Sequence, residues 1–511
     1  GKYHADNFPT LTADPKYKNL FDFCIDFNLI GRTHAQTGDC GDVARTRPLG
    51  RFQTTDVAPE WFRGPFALTG DPRFGMVLYN PESKAPIPQV TDAALREKIE
   101  RVVAERGYDI PQTSNVCDGY GHAILRSGHG DERRALWIRY GRHRGHAHDD
   151  MLTIGWEGKM RKLLPELGYP HSWTFRRPWE GNWAAHYCAR IVGGPSHRSR
   201  GHCKLFADGP WARVATAYAP AHQDVGPPVV YQMLPDTRIE RTVALIDLDD
   251  ADSYAVDVCR LTGGTDHYWS FHGPRSEGEA VLAGLEPRKQ EKGTLAGPDV
   301  PYGQGGDWVK RNPQLGAFPY LYEVARARSD RKWSLDWALE EYPDIHVRMT
   351  SLPSCNTEVN LAKGKPPGGG NPYELRWAIT HTSGDAPHRS DFVDVIEVFE
   401  GQRLVDDVRR IATTNSDDCH FPAVAVEVRR ENRSDTVICG GDARRAEAAG
   451  VVTDGDFAVW SETNGALGGA YLVGGQLLKK GDLGIEAEAS EWRGRIRSVD
   501  YRNRKVTVEP G

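Results

Sequence analysis

Along the first hundred residues, apolar positions recur at helical spacing. PKYKNLFDFCIDFNLI (15–30) places Leu20, Phe21, Phe23, Cys24 and Phe27 close to one face. TDAALREKIERVVAERG (91–107) aligns Leu95, Ile99, Val102 and Val103. Thr91-Asp92 offers an N-cap and Gly107 a stop, so this stretch predicts a helix. Near residue 120 the character changes. AILRSG, RRALWIRYG, ARIVGG, RVATAYA, YWSFHG, DIHVRMTSL, YELRWAITHT, DFVDVIEVFEG, AVAVEVRR, DTVICGG, FAVWSE and GAYLVGG are short β-rich runs separated by Gly, Asp and Pro. ALIDLDDADSYAVDVCRL predicts a hairpin around Asp249–Asp252. KGKPPGGGNP (363–372) reads as a loop, and EWRGRIRSVDYRNRKVTVEP as a small terminal β-module.

Helices, then many strands, then a β tail exclude the alternation of a parallel α/β sheet. The expected fold class is α+β and multidomain, with a large antiparallel β-sandwich in the middle. Length supports this, since 511 residues exceed one ordinary core. A net charge of −6 argues against bulk nucleic-acid binding, and no apolar run is long enough to span a membrane. The nine cysteines include no C-x-x-C pair, which removes zinc-ribbon and thioredoxin-type readings; most are expected buried and reduced, with room for one or two disulfides. The chain begins at Gly1 and its first methionine is Met76, so a removed leader or a longer parent product is expected.

Candidate chemistry concentrates in GRHRGHAHDDML (141–152), ahead of the apolar run that follows Asp150. In a strand, His146, His148 and Asp150 would share one face, neighbours about 6.5–7 Å apart. Imidazole and carboxylate together suit Zn2+ or Mn2+. Glu166 in KLLPELGYP and His186 in GNWAAHYCARIVGG are further ligand candidates. Spacing alone fits a polar strand edge with solvent-exposed histidines better than a metal site.

The ordered series YGHAILRSG, RALWIRYG, GHAHDDMLTIGWEGK, LLPELGYP and AAHYCARIVGG resembles the heparinase II/III-like family of polysaccharide lyases and glycuronan C5-epimerases. SYAVDVCRLTGGTDHYWSFHG, FVDVIEVFEG and FNLIGRTHAQTGDCGD extend the resemblance over most of residues 15–410. It implies a partial (α/α) toroid over residues 1–115 and an antiparallel sandwich over 116–400. The end of the sandwich and a small C-terminal β domain would occupy 401–511. It implies His146 facing the substrate, and His148, Glu166 and His186 as metal ligands. Glu166 stands where the family usually has Asp, His186 is followed by Tyr-Cys-Ala rather than an Asn-Thr-Val-like run, and His171 is a spare candidate. Tyr169 and, at the very start, Tyr3 are the tyrosines implied in catalysis. The metal would be Zn2+, with Mn2+ or Ca2+ as alternatives.

The implied reaction is β-elimination on a uronic-acid glycan. A base takes the C5 proton, the C4–O bond breaks, and the developing charge needs its adjacent carboxylate neutralised. Arg142 and Arg144 are the cations assigned to that carboxylate; Arg139, Arg176, Arg177 and Arg198 are further candidates or solvated charges. His267 is a substrate-binding candidate or a packed strand histidine, and Trp156, Trp173, Trp179, Trp183 and Trp269 are sugar platforms or core. A C5-epimerase and a non-catalytic glycan-binding fragment are the alternatives. The expected setting is secreted or periplasmic. The expected partners are an acidic polysaccharide, the remaining toroid as a separate chain, and a second copy in a homodimer.

Overall fold

The computed structural model describes residues 14–30, 34–38, 58–141, 148–168, 176–192, 201–224, 231–276, 278–366, 374–415, 419–490, 494–500 and 505–510. The architecture is α+β and multidomain. Two compact units divide between Gln402 and Arg403.

In the first unit, the helix Pro15–Asp26 starts where the Asp14 side chain accepts from Lys16 N–H at 2.8 Å. The helix Ala93–Arg106 is capped by Asp92, which accepts from Leu95 N–H at 2.7 Å, and stops at Gly107 with φ 78°. Between them lie the short helices Arg63–Thr69 and Pro72–Val77. Ile25, Phe62, Phe66, Phe74, Val77 and Ile99 bury one another in a core of their own.

The β region holds three antiparallel sheets. The eight-stranded sheet runs, edge to edge, Val281–Ala283, Trp333–Leu339, Tyr342–Ser351, Arg389–Glu400, Ser253–Thr262, Tyr231–Asp247, Ala212–Asp224, His202–Asp208. The six-stranded sheet runs Arg288–Lys289, Tyr322–Ser329, Thr357–Gly364, Leu375–Ser383, Asp266–His272, Ala189–Val192. Asn115–Cys117, His122–Ser127, Arg134–Arg139, Ile154–Gly158 and Arg161–Lys162 make a five-stranded sheet. The predicted hairpin is present: Leu248 N–H donates to Asp252 O at 2.9 Å between the strands ending at Asp247 and starting at Ser253.

Alternate residues of all three sheets meet in one core. Val243, Leu245, Ala255, Cys259, Ile396 and Val398 come from the eight-stranded sheet, Trp269, Phe271 and Ala378 from the six-stranded sheet, and Leu136, Ile138 and Trp156 from the five-stranded sheet. The six-stranded sheet is covered on its other face too. Trp377 and Ile379 pack there against Trp179, Trp183, Phe318 and Tyr320. A fully buried tryptophan removes about 200 Å² from water, worth about 5 kcal/mol, and this region holds several.

The second unit contains two antiparallel five-stranded sheets built from strands between Asp407 and Glu486, around Ile438, Val451, Ala458, Trp460 and Leu478. Gly494–Asp500 pairs with Lys505–Pro510, the expected terminal β-module. Among the described residues no two cysteines form a disulfide, and no helix is long and apolar enough to cross a membrane.

Candidate functional site

His148 lies in irregular chain beside the bend at Asp149, ahead of the strand Ile154–Gly158, not in a strand. The two-residue alternation expected of a strand therefore does not link His148 to Asp150, and His146 lies outside the described residues. The chain turns through Asp149–Leu152: Thr153 N–H donates to Asp150 O at 3.1 Å, and Leu152 has φ 59°. Asp150, fully buried, forms an ion pair with Arg139, itself buried at the end of the neighbouring strand. Both charges are engaged with each other, which removes Arg139 from the substrate candidates. Asp149 accepts from Arg190 at 3.0 Å, and its N–H donates to Gly181 O at 2.8 Å.

Glu166 follows the buried pair Leu163-Leu164. Thr153 Oγ1 donates to its Oε1 at 3.2 Å, and its Oε2 contacts His186 Nδ1. His186 leaves the 3-10 turn Trp183–Ala185, which starts where Asn182 accepts from Ala184 N–H at 3.1 Å. The carbonyl of Ala184 takes bonds from Ser270 Oγ at 2.7 Å and Trp377 Nε1 at 2.9 Å, so the turn is fastened to the six-stranded sheet. The His148 ring lies beside that of His186, centroids 5.2 Å apart. His148, Glu166 and His186 are all buried.

The implied metal can be tested against these side chains. Two imidazoles and a carboxylate are the donor chemistry of a borderline cation such as Zn2+. Nε2 of His186, opposite the nitrogen held by Glu166, is buried and makes no hydrogen bond. A carboxylate on one imidazole nitrogen with the other exposed to a metal is the usual orienting arrangement. The donors fit in chemistry and burial. Among the described residues, no three His, Cys, Asp or Glu side chains are arranged as a ligand set; what comes together is the His186–Glu166 pair with His148 beside it. Burial opposes protonation of His186, but the Glu166 carboxylate, with Asp150 and Asp149 farther off, outweighs it and holds the pKa above the usual histidine value. Metal binding at this imidazole would therefore release a proton.

Other predicted residues fall elsewhere. His267 stands opposite Ile191, fully buried. Its Nδ1 bonds Ser390 Oγ at 2.7 Å and its Nε2 bonds Gly263 O at 2.6 Å. Burial chiefly lowers its pKa to about 4. Both of its ring nitrogens are spent on bonds within the packed sheets. His272 is likewise enclosed, its pKa lowered by burial to about 3. Trp156, Trp179, Trp183 and Trp269 are core. Tyr3, Arg142, Arg144, His146, Tyr169, His171, Trp173 and Arg198 lie outside the described residues, as do the side chains of Arg176 and Arg177.

One group went unread in the sequence. Arg241 is fully buried on the core-facing side of its strand. Its Nε donates to Asp257 Oδ1 at 2.8 Å and its Nη2 to Oδ2 at 2.5 Å. Nη1 reaches both Leu152 O and Tyr187 O, each at 2.6 Å. The guanidinium lies over the Trp269 ring, 4.3 Å from its centroid. The signal was available: alternation in RTVALIDL and SYAVDVCRL puts Arg241 and Asp257 in register with apolar inward residues.

The helical region and layered antiparallel sheets have the fold seen in heparinase III-type lyase structures, in agreement with the sequence resemblance. Heparan sulfate lyase HepC from Pedobacter heparinus matches with a TM-score of 0.52 at 12% identity, over 83% of this chain and 52% of that one. A mutant of the same enzyme gives 0.50 at 13% identity over 83% and 52%. A heparinase III with methylated lysines gives 0.50 at 10% identity over 88% and 53%. The chain thus spans about half the length of the structures it matches. At these identities the likeness is one of fold. No protein-family model matches the sequence, and no curated protein matches it.

Proposed function

We propose that this chain is part of a polysaccharide lyase that cleaves a uronic-acid glycan by β-elimination. The observation that carries the proposal is the meeting of the His148 bend, Glu166 and the His186 turn at one buried place, on a fold shared with a heparan sulfate lyase. His148, Glu166 and His186 would hold a divalent metal, Zn2+ before Mn2+ or Ca2+. Bound there, the ion would supply positive charge that organises the surrounding loops. His146, two residues before His148, would face the sugar, and Tyr169, three residues after Glu166, would carry a proton. Arg142 and Arg144 would pair with the uronate carboxylate, lowering the barrier to losing the C5 proton. Tyr3 is the remaining tyrosine assigned to proton transfer. The setting would be secreted or periplasmic, the rest of a helical toroid would complete the cleft, and a second copy would be a further partner in a homodimer.

The test is incubation of the chain with heparan sulfate and other uronate glycans, following ultraviolet absorbance of the unsaturated uronate product. Absorbance growth that is lost in His146→Ala supports the lyase. Deuterium entering C5 from heavy water without absorbance growth replaces it with an epimerase. Neither signal, with binding retained, leaves a glycan-binding fragment and overturns the proposal.

A further inference from the structure

The two segments of the candidate site lie 38 positions apart in the sequence (186 − 148), and neither is a strand where it carries its histidine. The His148 bend continues into Leu152, whose positive φ is unusual for a residue with a side chain. The His186 turn continues into Tyr187. One guanidinium donates to the carbonyls of Leu152 and Tyr187 from the same nitrogen. Its other donors are fixed by Asp257, its face by Trp269, and it lies on a central strand of the eight-stranded sheet.

We propose that Arg241 is the positioning residue of this site, setting the separation of the His148 bend from the His186 turn. The inference rests on the reading of those histidines as one site. A guanidinium suits the task because its planar fork holds Asp257 through two nitrogens while a third serves both carbonyls. Lysine keeps the charge but is a point donor, so it cannot hold the carboxylate bidentately and bridge the two carbonyls together. The pair is deep in the core, so removing the charge alone would strand Asp257. Arg241→Met with Asp257→Leu removes both charges and keeps the core filled.

The experiment uses the full chain, its Arg241→Lys variant and the Arg241→Met/Asp257→Leu double variant. Three quantities are measured: Zn2+ affinity by competition with a chromophoric chelator, kcat and KM on heparan sulfate, and amide hydrogen exchange over residues 148–153 and 184–188. Near-ultraviolet circular dichroism establishes that each variant is folded. The expected result is a loss of about 10- to 100-fold in Zn2+ affinity and in kcat, as when a supporting partner of a metal site is removed. KM changes far less, and exchange accelerates in both segments together. Folded variants with wild-type Zn2+ affinity and kcat overturn the assignment. If the wild-type chain neither binds Zn2+ nor turns over glycan, the proposed function falls. The role of Arg241 is then decided by exchange, and either segment keeping its protection in both variants overturns it.

Discussion

Replacing Asp394 by Asn should stabilise the fold near pH 8 and do much less near pH 5. Asp394 is fully buried on the core-facing side of Arg389–Glu400, directly opposite Asp257 in the neighbouring strand. Burial, then the Asp257 carboxylate, raise its pKa from 3.8 to about 7, because Arg241 is committed to Asp257 and offsets only part of the effect. The folded chain therefore keeps a proton that the unfolded chain releases above its ordinary pKa. Stability falls as pH rises from about 4 to about 7, and the full cost applies above that. Three pKa units at 1.36 kcal/mol each make that cost about 4 kcal/mol. Near pH 5 less than half of it has developed, so the advantage of Asn should grow by about 2 to 3 kcal/mol between the two conditions. For a unit as large as Gly1–Gln402, that is a difference of roughly 3 °C in Tm. The assay is thermal unfolding followed by near-ultraviolet circular dichroism, which reports the packed tryptophans, on both proteins at both pH values. An advantage that is the same at both, or larger near pH 5, refutes the reasoning.

Glu166→Gln should fold and lose at least about 10- to 100-fold in Zn2+ affinity, measured by chelator competition, because the neutral amide is a poorer metal ligand and also holds His186 less strongly. Adding Zn2+ at about a hundred times its dissociation constant should stabilise the protein by about 2.7 kcal/mol, read as a rise in Tm that a chelator reverses. His267→Ala should destabilise by about 1–3 kcal/mol by denaturant titration, stranding Ser390 Oγ and Gly263 O, and leave KM for glycan unchanged. Gly155→Ala places a Cβ 2.4 Å from the Trp137 ring and should cost about 1–3 kcal/mol, seen as a lowered Tm with loss of near-ultraviolet signal.

The helix Ala93–Arg106 was legible because four apolar residues kept one period between a cap and a glycine, all local properties. The Asp247–Ser253 hairpin was legible for the same kind of reason. The bend beside His148 was not, since an H-x-H-x-D stretch followed by apolar residues fits a strand until Leu152 is seen with positive φ. The gathering of His148, Glu166 and His186 came from resemblance to a family, not from spacing, because contacts among distant segments leave no local period. Arg241 and Asp257 sat in plain view as charges at inward positions of apolar strands. Which backbone carbonyls Arg241 would reach depends on how three sheets stack, which no single strand encodes.

The pairing of Ser253–Thr262 with Arg389–Glu400 has a consequence for biogenesis. The two strands are separated by roughly 130 residues, so closure of the sheet is a strongly non-local event. At about 5–20 residues per second, a ribosome needs on the order of ten seconds to supply the later strand. Arg241 and Asp257, by contrast, belong to one hairpin and can meet as soon as it emerges. Asp257 is then already paired with Arg241 when Asp394 arrives, and the newcomer can dock carrying its proton. A nascent chain would wait with an open strand edge at Ser253–Thr262, the place where a chaperone or a wrong strand would bind first.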